Sequence, residues 1–123
     1  MKHQKISIAG KTFEIAYCYG TEIAYRDIAG EDMDAFMPEI SQSIQNEHLP
    51  DPKKTIYLIL AAAMAYATAK DEDTPIKDVD LMTEATPMEL GSALGTFLTL
   101  RSQFYILPSG EPEDKKKGKK GKN

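Results

Sequence analysis

Along the first seventeen residues apolar and polar positions alternate. In KISIAGKTFEIAY, Ile6 and Ile8 are separated by polar residues, and Phe13, Ile15 and Tyr17 follow the same rule. A period of two places each set on one face of a strand. The dipeptide Gly10-Lys11, with glycine first as a type II′ turn prefers, predicts a two-residue hairpin that pairs Ile8 with Phe13 and Ile6 with Ile15. One face of that hairpin is wholly apolar, so helices have to cover it.

Beyond the hairpin the period becomes helical. Thr21 is a candidate N-cap for a short helix, TEIAYRDIA, with Glu22 in its first turn and Gly30 as its stop. Asp32 or Asp34 opens the next segment, in which Met33, Phe36, Met37, Ile40 and Ile44 share one face. Pro38 interrupts it and predicts a kink or two short helices. The stretch NEHLPDPKK, with Pro50 and Pro52, ends the segment. A central helix is predicted from about Pro52 to Lys70, with Asp51 as N-cap and Pro52 at the first helical position. It is apolar nearly all round and rich in alanine, so it must be surrounded, by its own domain or by another chain. After the polar loop DEDTPIKDVD comes a short helical stretch, VDLMTEA. The last helix starts at a capping box, Thr86 to Glu89, with Pro87 at the first position. Leu90, Leu94, Phe97, Leu98, Arg101, Phe104 and Tyr105 form its broad face, and Pro108, Ser109 and Gly110 end it.

The elements therefore predict an α+β fold, a two-stranded hairpin packed on a bundle of four to five helices. Residues 1–107 form the expected domain, and 108–123 a lysine-rich tail that its composition predicts to be disordered. At 41% hydrophobic and 28% charged, the composition is that of a soluble globular protein. The longest apolar stretch, Ile56 to Ala67, is too short to span a bilayer. The N-terminus enters alternating residues without an apolar run, so no signal peptide is expected. A single cysteine, Cys18, fits a reducing compartment. The expected location is the cytoplasm.

Charge divides the chain. Residues 1–110 carry 9 Lys/Arg and 16 Asp/Glu, a net of −7, whereas residues 111–123 carry 6 and 3, a net of +3. An acidic body repels phosphate backbones, so only the tail would engage nucleic acid, weakly and without sequence preference.

Candidate chemistry is sparse. AGKT, residues 9–12, imitates the end of a phosphate loop, but Lys5 stands where the motif needs a glycine, and a strand rather than a helix is predicted to follow. His3 and His48 lie far apart, with no metal-ligand spacing and no second cysteine. Asp71, Glu72, Asp73, Asp78 and Asp80 lack the glycine and terminal glutamate of a calcium loop. Cys18 has no neighbouring cation in sequence and reads as a packed side chain. No catalytic residue, cofactor site or metal site is expected, and the chain does not read as an enzyme. Gly91 and Gly95 form a small-xxx-small pair, read as close intramolecular packing or, more sharply, as a self-association face.

The order of elements resembles a family. The hairpin Ile8-Ala9-Gly10-Lys11-Thr12-Phe13-Glu14-Ile15, a short helix closed by Gly30, a helical segment, an alanine-rich helix and a T-P-x-E-L start at Thr86 to Leu90 are similar to the tail assembly chaperones of long-tailed phages and prophages. The resemblance covers residues 5–107 and rests on order and length. The family's first turn often has Asn before Gly, where Ala9 stands here.

The resemblance implies a non-catalytic role: to bind and solubilise the tape measure protein, and to yield it as tail tube protein polymerises. Self-association would accompany that role. It also implies two translated forms, related by a −1 frameshift, for which Lys115 to Lys117 could supply a run of adenines. Such a task calls for an exposed apolar surface on an acidic body. The candidate contact residues are Met33, Phe36, Met37, Ile40, Ile44, Ile59, Met64, Gly91 and Gly95. The competing expectation is a small nucleic-acid-associated accessory protein that acts through its basic tail.

Overall fold

The computed structural model describes residues 1–106. The expectation for the lysine-rich tail lies outside those residues. The chain forms an α+β fold, a two-stranded antiparallel hairpin packed against five helices.

Strands β1 (His3–Ile8) and β2 (Lys11–Ala16) pair as Ile8 with Lys11, Ile6 with Phe13 and Gln4 with Ile15. The turn is therefore Ala9-Gly10, with φ of 55° and 75°, the two positive values of a type I′ turn. The predicted Gly10-Lys11 turn, with Ile8 opposite Phe13 and Ile6 opposite Ile15, is corrected by two residues of register. Such a shift keeps every side chain on its face, so the hydrophobic pattern is blind to it. Ile6, Ile8, Phe13 and Ile15 point into the core in either register, and all four are buried.

Helix α1 (Tyr19–Ala29) starts two residues before the predicted Thr21 cap, with Cys18 at the N-cap. Thr21 lies in the first turn and is fully buried. Its hydroxyl accepts from the Cys18 N–H at 3.1 Å and donates to the Ala16 carbonyl at 2.9 Å, joining the strand end to the helix start. Gly30, with φ of 76°, closes the helix as its sequence predicts.

Helix α2 (Met33–Gln45) is one continuous helix, with Pro38 inside it. Of the two expectations at Pro38, a kink or two short helices, the division into two helices does not occur. Pro38 sits on the exposed side, while Phe36 and Ile40, on either side of it in sequence, are both buried in the core. Burial of both halves along one stripe holds the helix together across the missing N–H.

Helix α3 (Pro52–Ala69) is the axis of the fold. The Asp51 side chain accepts from the Lys54 N–H at 2.9 Å, and ten of its residues are buried. Its own chain surrounds it, through α1, β2, α5 (Pro87–Phe104) and α4 (Asp78–Glu84). Alanines 61, 62, 63, 65 and 67 allow these neighbours to approach closely. The α5 capping box forms as predicted: Thr86 Oγ1 accepts from the Glu89 N–H, and Glu89 accepts from the Thr86 N–H. Glu89 also accepts from the Ala9 N–H at 3.4 Å, so one carboxylate ties the hairpin turn to the start of α5. Among the described residues no helix is long and apolar enough to cross a membrane.

Candidate protein-interaction groove

The end of α2 is built by backbone geometry that the side-chain pattern does not announce. Glu47 adopts φ of 59°, its N–H donates to the Ile44 carbonyl, and the His48 N–H donates to the Ser43 carbonyl. These two bonds define a Schellman stop with a glutamate in the left-handed position that glycine usually fills. The stop reverses the chain and lays Leu49 and Pro50 against α5. Leu49 lies so near the α5 backbone that a Cβ added at Gly91 would sit 3.6 Å from its Cδ2.

Between the end of α2, this loop and α5 lies a groove of about 320 Å³. Ile44, Leu49, Leu94 and Leu98 line it together with Gly91 and Gly95, and its ionisable groups are Glu47 and His48. Ile44 is 54% exposed, and Leu98 is half-buried. A second depression of about 440 Å³ shares Leu49 and Pro50 and reaches Met82 and Pro87. The apolar surface thus continues along one side of the molecule, near Met88, which is 85% exposed.

The structure divides the nine contact residues expected from sequence. Met33, Phe36, Ile40 and Ile59 are buried in the core, where they pack within the chain. Met37 and Met64 are half-buried against that core. Ile44, Gly91 and Gly95 come together in the groove, although two different helices and 47 positions separate Ile44 from Gly91. Leu49 was not among the expected contacts. Its signal in the sequence is an isolated leucine in an otherwise polar and proline-rich loop.

Both histidines have local partners. The His3 Nδ1–H donates to Glu14 at 2.8 Å, and the His3 ring packs on Tyr66 with centroids 4.9 Å apart. His48 Nδ1–H donates to the Leu49 carbonyl at 3.0 Å. AGKT forms the hairpin turn and enters β2. Among the described residues no group of three or more His, Cys, Asp or Glu side chains could hold a metal ion.

A third depression, of about 290 Å³ and lined by charged residues, lies between α1 and α2. There Arg26 faces Asp32 at 3.6 Å, and Arg101 faces Asp34 at 3.5 Å. Beside it the Tyr17 hydroxyl donates to Glu22 at 2.5 Å, and the Tyr105 hydroxyl donates to the same carboxylate. Burial, followed by the Glu22 contact, pushes the Tyr17 phenol far above its ordinary range. These contacts fasten the last turn of α5 to α1.

In comparison with known proteins, no family model, no curated protein and no solved structure matches this chain.

Proposed function

We propose that the chain is a non-catalytic assembly chaperone of the kind found in long-tailed phages and prophages. In this reading it binds the tape measure protein, keeps it soluble in the cytoplasm, self-associates along it, and is displaced as tail tube protein polymerises. The observation that carries the reading is the exposed apolar groove at Ile44, Gly91 and Gly95 on an acidic body. An apolar surface left open beside a well-filled core suits a protein that grips apolar segments of others. The order of elements that resembles the family supports the same reading.

The test is co-expression with a tape measure protein of a long-tailed phage, measuring how much of that client stays soluble. The wild-type chain and a chain lacking residues 111–123 should both keep it soluble, and Ile44→Asp should lose most of that effect. If the deletion abolishes client binding, and the full chain instead shows salt-dependent affinity for nucleic acid, the accessory-protein reading replaces this one.

A further inference from the structure

We propose that the groove between α2 and α5 receives a single amphipathic α-helix of another protein, one whose apolar stripe is flanked by lysine or arginine. The inference rests on the chaperone reading only for the identity of the protein that carries the helix.

Hydrogen-bond accounting selects a helix over an extended segment. The groove presents carbon from Ile44, Leu49, Leu94 and Leu98. The loop N–H groups beside it, of Glu47 and His48, already donate to Ile44 and Ser43. The backbone of α5 is paired within its own helix. A strand laid there would bury its own N–H and C=O groups without partners, whereas a helix satisfies its backbone internally.

Shape agrees. Gly91 and Gly95 stand one turn apart on α5, and a Cβ added at Gly95 would meet nothing within 4 Å. Nothing in the fold demands glycine at 95, and a glycine inside a helix costs about 1 kcal/mol relative to alanine. The open space instead lets a second helix backbone approach closely, since interaxial distance follows the size of the side chains at the contact. The groove wall on α5, from Gly91 to Leu98, spans about 10 Å of helix axis, room for about two turns of a crossing partner.

Charge then selects the flanks. The groove lining contains Glu47 and His48 and neither lysine nor arginine, on a body of net charge −7. A partner with basic flanks is attracted to such a rim, and an acidic one, including a second copy of this body, is repelled.

The test titrates the full chain with two synthetic peptides of about 18 residues, a length that forms five helical turns. Both have the same leucine and alanine stripe; one carries lysine flanks, the other glutamate. Calorimetry should show saturable binding of the lysine peptide and binding weaker by about tenfold or more for the glutamate peptide. Amide shifts should concentrate at Leu49, Gly91 and Gly95. Gly95→Leu should weaken the lysine peptide by about tenfold or more at a thermal midpoint no lower than that of the unaltered chain. Ile44→Glu, at an exposed site, is the second variant if Gly95→Leu folds poorly.

No binding by either peptide, equal binding by both, or indifference to both variants would overturn the proposal. So would sedimentation showing a dimer that Gly95→Leu abolishes, because a second copy would then be the occupant. Client solubilisation without peptide binding sinks the helix inference alone. Peptide binding without client solubilisation sinks the chaperone reading alone.

Discussion

Ala9 occupies the left-handed region with φ of 55°, a conformation that costs an L-residue with a Cβ about 1 kcal/mol. Asn relieves much of that cost through local hydrogen bonding, and Gly10 already supplies the second positive φ of the type I′ turn. Ala9→Asn should therefore raise stability by about 0.5–1 kcal/mol. Urea unfolding checks it, and an unchanged or lower midpoint would show that the turn is not strained. Thr21 tests the opposite direction. Thr21→Val keeps shape and leaves both the Ala16 carbonyl and the Cys18 N–H without their partner. A loss of about 1–3 kcal/mol is expected, whereas a loss below about 0.5 kcal/mol would mean the two groups find other partners. The pattern placed Ile6, Ile8, Phe13 and Ile15 on one face but could not choose between registers two residues apart. Threonine looked like a cap and proved to be a buried strut three positions into the helical start.

At the scale of elements, the helices followed their apolar spacing. The α3 and α5 starts were legible because Asp51-Pro52 and Thr86-Pro87-Met88-Glu89 encode their caps in adjacent residues. The α2 stop was not, because Glu47 takes a glycine's conformation. Glu47→Gly should stabilise the chain by about 1 kcal/mol, read as a higher thermal midpoint with the fold unchanged. Gly95→Ala should likewise stabilise, by about 0.5–1 kcal/mol, since the added methyl meets no atom within 4 Å. A destabilising result at Gly95 would mean that the space above it is occupied in the free protein. Pro38 predicts a kink or two short helices, and α2 continues through it as one helix because packing of Phe36 and Ile40 outweighs one lost backbone bond.

For the whole molecule, three phenols and one carboxyl give a pH dependence whose sign follows from their surroundings. Burial, then the neighbouring Glu22, raises Tyr17; burial, then Glu31, raises Tyr25. The Glu22 hydrogen bond, then burial, raises Tyr105. A folded-state value above the unfolded one gives stability that is complete below about pH 10 and lost as pH rises beyond it, when the unfolded chain sheds its phenolic protons first. Stability read from urea midpoints should begin to fall near pH 10 and keep falling as pH rises, and Tyr25→Phe should make that fall shallower. Glu31 has the opposite sign. The Tyr25 hydroxyl at 2.8 Å and then Lys54 at 3.2 Å lower its carboxyl, so its contribution is present above the ordinary glutamate value and lost as pH falls through the lowered one. Glu31→Gln should flatten the acid limb of the stability curve, and an unaltered limb would show the contact to be energetically silent.

By itself the sequence determined the class of fold, the order of the elements, the capped starts of α3 and α5, and the split between an acidic body and a basic tail. Each of these depends on residues close together in the chain, where period, cap and charge act locally. Tertiary structure decided the hairpin register, the left-handed stop at Glu47, and which apolar residues stay in view. Met33, Phe36, Ile40 and Ile59 carry the same apolar chemistry as Ile44, yet they are buried and Ile44 is half exposed. On α2 itself, Ile40 turns into the core, whereas Ile44, one turn further on, faces the groove beside α5. Long-range packing, which no local pattern encodes, thereby turned a uniform helical face into a core and a groove.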